Sequence, residues 1–155
     1  LQAIVSMNNP TINHWLSAVR LRTLPLALAS ITMAAWLAAA ASSFSWSVFM
    51  LCVLTTVCLQ ILSNLANDYG DSIHGADSAE RRGPQRTVQA GIIRPAQMRN
   101  AILIFVMLSL ISGITLLLIS FGLNWKALTF FFLLGLLSIG AAVAYTAGRR
   151  PYGYM

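Results

Sequence analysis

The chain has 155 residues, of which 57% are hydrophobic and only 9% are charged, and its mean hydropathy is +0.72. Soluble domains carry about 25% charged residues, so this composition excludes a water-soluble fold and predicts an all-α integral membrane protein. The net charge of +6 would suit nucleic acid, but the basic residues are few and lie between apolar runs. That distribution is how membrane topology is encoded, so we exclude nucleic acid as a partner.

Four apolar runs follow one another along the chain. Each is long enough to cross about 30 Å of hydrocarbon as a helix, and lipid offers no partner to the polar backbone groups of any other open structure. We therefore predict membrane spans at residues 24–41, 46–65, 101–121 and 127–147. Residues 1–23 form an N-terminal segment in this interpretation, residues 24–155 form one domain, and residues 67–100 form a long polar loop inside that domain.

The basic residues predict the orientation of these spans. Nine of the ten Lys and Arg residues lie in the N-terminal segment, in the central loop or after the fourth run, whereas Lys126 lies alone between the third and fourth runs. Because Lys and Arg accumulate on the cytoplasmic side of a membrane, both termini and the central loop are predicted to be cytoplasmic.

All the acidic residues lie at the end of the second apolar run; they are Asp68, Asp71, Asp77 and Glu80. If the second helix continues past residue 65, Asn67 and Asp71 lie four residues apart on one face, with Asn64 and Asp68 beside them. Magnesium binds hard oxygen ligands and keeps several waters, so one or two carboxylates and substrate phosphates suffice. We predict a magnesium site at Asn67, Asp68 and Asp71; the alternative is a frayed, solvated helix end.

Several arginines lie on the same predicted membrane face. Arg22 precedes the first span, and the others follow the acids or the fourth span; they are Arg81, Arg82, Arg86, Arg149 and Arg150. Guanidinium groups present paired donors that suit diphosphate oxygens. Tyr145 lies one turn before Arg149, so a single cytoplasmic-face pocket would bind a cation, a phosphate and an aromatic substrate. The alternative is topological, because cytoplasmic loops collect Arg in any case, and we assign Arg94 and Arg99 to that role.

Four segments of the chain resemble the UbiA family of membrane prenyltransferases; they are RLRTLPLALASI, QILSNLANDYGDSIHGAD, GPQRTVQAG and AYTAGRRPYGY. Within the family they are most similar to the bacterial branch that prenylates 1,4-dihydroxy-2-naphthoate in menaquinone biosynthesis. The resemblance implies Mg²⁺ as cofactor and Asn67, Asp68 and Asp71 as the first metal motif. It also implies that Arg150 and Arg86 bind the diphosphate.

A reaction follows from the same resemblance. Mg²⁺ and arginines neutralise the diphosphate of a polyprenyl donor as it leaves, and the electron-rich ring of the naphthoate attacks the allylic carbocation. The ring carboxylate is then lost, while the isoprenoid tail lies between helices and is open to lipid. In this interpretation Asp68, Asp71 and Tyr145 are catalytic, Arg22 assists diphosphate binding, and the enzyme lies in the bacterial inner membrane.

The chain departs from the family pattern in two respects. Members often carry another Asp eight residues after the Asn of the metal motif, where this chain has Gly75, followed by Asp77. Members also have about nine membrane helices and a second Asp-rich motif, so we expect this chain to be the N-terminal part of such a bundle and inactive alone. Two alternatives stay open, namely a small four-helix membrane transporter and a non-catalytic membrane subunit.

Overall fold

The computed structural model describes residues 10–74, 87–88 and 90–145. The helices are α1 (Ile12–Val19), α2 (Leu24–Ala40), α3 (Trp46–His74), α4 (Pro95–Phe121) and α5 (Trp125–Ala144), with a 3₁₀ turn at Leu21–Thr23. No strand occurs in these described ranges. The α1–α2 segment, α3, α4 and α5 are each long and apolar enough to cross a membrane, which confirms the predicted all-α class with four potential spans.

The polar ends of the helices extend beyond the apolar runs from which the spans were predicted. α3 continues past residue 65 to His74, and α4 already begins at Pro95, so both ends of the predicted loop 67–100 are helical. Apolar runs measure the lipid-facing part of a helix, whereas the helix itself continues wherever its backbone bonds and packing persist. Pro95 suits the first helical turn of α4, where its missing N–H removes no intrahelical bond.

α3 is the central helix, because it contacts α1, α2, α4 and α5. The tightly packed core lies at one end of it, around the side chains of Leu62 and Leu65, which are fully buried. Buried residues of α1, of the turn before α4 and of α4 complete this cluster; they are Ala18, Val88, Ile93, Met98 and Ile102. The core therefore lies directly beside the last turns of α3, which carry Asp68 and Asp71.

Most of the remaining apolar surface faces outward. No residue of α2 is buried, and Leu128 is the buried residue of α5. Outward-facing leucines and phenylalanines are unfavourable in water, but they match the hydrocarbon of a bilayer. This distribution agrees with the membrane class that the composition predicts.

A hydrogen bond inside the apolar region links α3 to α4. The Thr55 hydroxyl donates to the Ser112 hydroxyl at 3.1 Å, and Ser112 is 5% exposed. Gly113 leaves room beside this contact, since a Cβ there would lie 3.8 Å from the Thr55 methyl carbon. Small and hydroxyl residues are typical of interfaces at which membrane helices approach closely.

We expect Thr55→Val to lower the free energy of unfolding in detergent by about 0.6 kcal/mol, the average for a hydrogen bond between membrane helices. The substitution keeps the shape of the side chain and removes only the donor. Thr115→Val is the matched control, because the Thr115 hydroxyl donates to Ile111 O of its own helix and is exposed. Equal losses of stability in the two variants would show that the α3–α4 bond contributes nothing specific.

Candidate functional site

The candidate site is built on the last turns of α3. The helix continues through residue 74, so Asn67 and Asp71 lie one turn apart on one face, as do Asn64 and Asp68. Asn64, Asp68 and Asp71 are buried, at 5%, 2% and 6% exposure, whereas Asn67 is half-buried. Two carboxylates and two amides are therefore gathered within two turns, directly beyond the apolar core.

The Asp68 carboxylate contacts two other segments of the chain. Its Oδ1 lies 3.5 Å from Nη2 of Arg20, the residue that ends α1, and its Oδ2 accepts a 2.8 Å hydrogen bond from the Thr87 hydroxyl. The Asp68 side chain is 3% exposed and that of Arg20 is 29% exposed. A carboxylate buried this deeply requires a charged partner and hydrogen bonds, and both are present.

Thr87 is held in place by a turn that precedes α4. Its carbonyl oxygen accepts bonds from the backbone N–H groups of Ile92 and Ile93, each at 3.1 Å, and the side chain of Ile93 is fully buried. Gly91 adopts φ +69°, a left-handed conformation that glycine tolerates without steric cost. These backbone bonds hold Thr87 where its hydroxyl can donate to the Asp68 carboxylate.

Asn64 joins the corner between α1 and α2 to α3. Its side-chain amide donates to Val19 O at 2.8 Å and to the Thr23 hydroxyl oxygen at 3.2 Å. The Thr23 hydroxyl in turn donates to Arg20 O at 2.9 Å, and Gln60 donates to the same Thr23 oxygen at 3.3 Å. Val19 O is one of the carbonyl groups left without an intrahelical partner at the end of a helix, so Asn64 acts as a cap supplied from another helix.

Arg20 has an unusual backbone conformation. Its φ of 54° and ψ of 58° place it in the left-handed region, at the residue that ends α1. Glycine is the usual residue at such positions, and an L-residue with a Cβ costs about 1–2 kcal/mol there. Glycine would relieve this strain, but it has no side chain to contact Asp68. Arg20 adopts the strained conformation and its guanidinium group reaches the Asp68 carboxylate.

The remaining residues predicted for the site fall in different places. Arg22 lies in the 3₁₀ turn and is exposed, and Tyr145 follows α5, where its side chain is 45% exposed. Arg86 and Arg150 lie outside the described residues, as do Asp77 and Glu80. The structure thus places Asn67, Asp68 and Asp71 together on the last turns of α3, as their spacing predicts.

Two residues of this cluster were not among the predicted site residues. In the sequence, Arg20 is one of the basic residues that predict topology, and no pattern indicates a role for Thr87. Arg20 lies 48 positions before Asp68 and Thr87 lies 19 positions after it, so no local spacing in the sequence relates them. The available signal was weak: Thr87 follows the segment GPQR closely, and Arg20 ends a short amphipathic stretch in front of the first apolar run.

An apolar crevice lies between α3, α4 and α5. Its volume is about 590 Å³ including the part that is open to the surroundings. Leu59 of α3 lies in its wall, nine residues before Asp68, which places the crevice about 14 Å along the helix axis from the carboxylate. The other lining residues include Leu110, Ile114, Phe132, Leu136 and Ile139.

Together these features define a multi-pass membrane protein with a carboxylate- and amide-rich site at one end of its helices. The sequence pattern of the UbiA prenyltransferase family matches residues 27–154, so the chain belongs to that family. This confirms the resemblance on which the sequence interpretation relied.

Individual relatives agree with this assignment. The 1,4-dihydroxy-2-naphthoate octaprenyltransferase of Haemophilus influenzae is 44% identical over 151 residues, which are 96% of this chain and 49% of that protein. The enzyme of the same name from Escherichia coli is 44% identical over 141 residues, 91% of this chain and 46% of that protein. That from Mycobacterium tuberculosis is 35% identical over 145 residues, with 91% and 46% covered. The chain spans about half the length of these curated relatives, and no solved structure matches it.

Proposed function

We propose that this chain acts in the transfer of a polyprenyl group from polyprenyl diphosphate to 1,4-dihydroxy-2-naphthoate in menaquinone biosynthesis. The observation that carries the proposal is the cluster of buried carboxylates on the last turns of α3, at the boundary between the apolar and polar parts of the chain. Three relatives named for that reaction support it, since each is at least 35% identical to this chain over an alignment that covers more than 90% of the chain.

The donor set of the site fits a magnesium ion. Asn67 and Asp71 offer a carbonyl and a carboxylate oxygen from one helix face, and Mg²⁺ is commonly bound by one or two carboxylates together with waters and substrate phosphates. Among the residues that the structure describes, no three His, Cys, Asp or Glu side chains are grouped so that they could hold one metal ion, so the proposal assigns the remaining positions to waters and substrate phosphates. When bound, Mg²⁺ would supply positive charge to the leaving diphosphate.

The other predicted site residues take complementary roles in this proposal. Arg22, Arg86 and Arg150 would bind the diphosphate oxygens through paired donors. Tyr145 would lie against the aromatic acceptor, and Asp68 would contribute to the metal motif. The crevice between α3, α4 and α5 would accommodate part of the isoprenoid tail, because its wall is almost wholly apolar and it is open along one side.

The membrane placement completes the proposal. Arg20, Arg22, Arg94 and Arg99 all lie at the same end of the described helices as Asp68, and Lys126 lies at the start of α5 at the other end. The positive-inside rule then directs the acidic end of α3 to the cytoplasm of a bacterial cell, with the spans in the inner membrane. Charged residues of the described helices occur only near helix ends, so they provide no intramembrane charge of the kind that marks a transporter pathway.

The test joins residues 1–155 to the second half of the Haemophilus influenzae relative. We expect membranes that contain this fusion to transfer the octaprenyl group to 1,4-dihydroxy-2-naphthoate in the presence of Mg²⁺, and not to 4-hydroxybenzoate. The intact relative, expressed to the same level, is the positive control, and the chain without the added half tests our expectation that it is inactive alone. A stable fusion that prenylates neither acceptor, or that prefers 4-hydroxybenzoate, would contradict the proposal.

A further inference from the structure

We propose that α1 is an interfacial helix, which lies in the headgroup region of the membrane at the acidic end of α3 and inserts Ile12 and Leu16 among the acyl chains. The observation behind it is that these two apolar side chains are 75% and 45% exposed on a short helix that precedes α2. The inference depends on the membrane class of the chain and not on prenyl transfer, so it goes beyond the proposed function.

The backbone separates α1 from the helix of α2. The α1–α2 segment as a whole is long enough to cross a membrane, but Arg20 ends α1 in the left-handed conformation and a 3₁₀ turn follows before Leu24. A left-handed residue ends an α-helix, so α1 does not continue into α2. α2 alone has 17 residues, which lies within the range of lengths that span a bilayer. α1 is therefore not required to cross the hydrocarbon.

The positions along α1 divide its surface into three parts. One part packs against the buried core; its residues are Trp15, Ala18 and Val19. Ile12 and Leu16 lie four residues apart on a second part, the apolar face of α1, and both are exposed. Asn13 and Ser17 follow them by one position, about 100° further around the helix, and are polar and exposed. An apolar face beside a polar one is the arrangement that a bilayer surface accommodates.

Contacts with α3 fix the direction in which the apolar face of α1 points. Asn64 donates to Val19 O at 2.8 Å, and the side chain of the next residue, Arg20, pairs with Asp68. Ala18 is buried in the core beside these contacts. Rotating α1 to bury its apolar face against α3 would expose Ala18 and break the bond from Asn64. The apolar face is therefore left for a partner outside the described helices.

Two features identify the bilayer as that partner. The exposed apolar surface continues along the chain from α1 through Leu21 to Leu26 of α2, both of which are exposed, and α2 faces hydrocarbon. Asp68 and Asp71 are buried, whereas the exposed charges of the described residues at this end are positive; they are Arg22, Arg94 and Arg99. Positive charge beside an apolar face suits the phosphate groups and anionic lipids of a bilayer surface.

The experiment measures the depth of single nitroxide spin labels on the full chain in nanodiscs that contain phosphatidylglycerol. Depth is obtained from collisions of the label with oxygen, which concentrates in lipid, and with a water-soluble nickel complex. We expect labels at Ile12→Cys and Leu16→Cys to collide more with oxygen and to lie about 5–10 Å inside the headgroup boundary. Asn13→Cys and Ser17→Cys are the matched controls on the same helix, and their labels should collide more with the nickel complex.

Three results would overturn the inference. Access of the nickel complex to all four positions would place α1 in water, and access of oxygen to all four would make it part of the span. Low access of both reagents to the labels at positions 12 and 16 would show that protein covers the apolar face, either a second copy or a further segment of a longer chain.

A second measurement needs no substitution, which matters because the spin labels require Cys52 and Cys58 to be replaced by Ala. Photolysis of a phospholipid with a diazirine on its acyl chain inserts a carbene into the side chains that contact lipid. We expect the unmodified chain to be modified at Ile12 and Leu16 as well as at Leu26, the internal control in α2. Modification of Leu26 without modification of α1 would contradict the inference.

Discussion

Replacing Asp71 by Asn is expected to reduce prenyl transfer by the fusion protein about 10³-fold, the loss typical of removing a group that stabilises transition-state charge. The change keeps the size of the side chain and its capacity to accept hydrogen bonds, but it removes the negative charge. Because Asp71 is 6% exposed, the lost charge is not replaced by bulk water. The measurement is the initial rate at saturating polyprenyl diphosphate and naphthoate, over a series of Mg²⁺ concentrations.

Ser72→Ala is the control for Asp71→Asn. Ser72 is the next residue of the same helix and is half-buried, and its hydroxyl donates to Tyr69 O at 2.6 Å, within its own helix. We expect the rate in this variant to stay near that of the unmodified fusion. If Asp71→Asn retains a similar rate at low Mg²⁺, the carboxylate has no part in metal binding, whatever its burial.

The sequence was sufficient to predict the fold class and the helix face that Asn67 and Asp71 share. Both depend on local patterns: apolar runs about 20 residues long for the spans, and four-residue spacing for the shared face of Asn67 and Asp71. The extent of α3 was harder to predict, because residues 67–74 are mostly polar and the run of apolar residues ends before them. The structure shows that the helix continues there, over a core formed by Leu65, Val88 and Ile93.

The partners of Asp68 could not be predicted, for a physical reason. The ion pair between Arg20 and Asp68 depends on a left-handed residue that interrupts the helix between α1 and the 3₁₀ turn, and the residue type at that position does not indicate it. Gly or Asn would have indicated such a turn, whereas Arg does not. The hydrogen bond from Thr87 depends equally on the turn before α4, which Gly91 makes possible. Long-range pairing of this kind is a property of packing and not of spacing.

Asn64 shows most clearly that the spacing of residues in the sequence does not determine which atoms they contact. Its position one turn before Asp68 makes it resemble another oxygen ligand for a cation. The structure shows that its NH₂ group instead donates to Val19 O and to the Thr23 hydroxyl oxygen. The NH₂ group of Asn64 thus acts as a hydrogen-bond donor. These bonds hold the α1–α2 corner against α3.

We expect Asn64→Leu to lower the free energy of unfolding by about 2–3 kcal/mol, since Val19 O loses its donor inside a packed corner and the Thr23 hydroxyl loses one of its two amide partners. Leucine has a similar volume, so the loss reflects hydrogen bonding and not a cavity. The corner between α1 and α2 should open before the rest of the chain unfolds. Trypsin should cleave the peptide bonds after Arg20 and Arg22 faster than in the unmodified chain, because both peptide bonds lie in the corner that Asn64 holds.

Asn100→Leu is the matched control for Asn64→Leu, because Asn100 is exposed on the first turns of α4 and its replacement should change stability by less than about 0.5 kcal/mol. Asn64→Asp then separates the two interpretations of this residue. A cation ligand would tolerate the carboxylate, whereas a donor to Val19 O would lose its bond, and the new carboxylate would add to the negative charges of Asp68 and Asp71. Asp at this position should therefore destabilise the corner at least as much as Leu does. If Asn64→Asp instead preserves stability and tightens Mn²⁺ binding, Asn64 belongs to the metal site and the corner is held by other contacts.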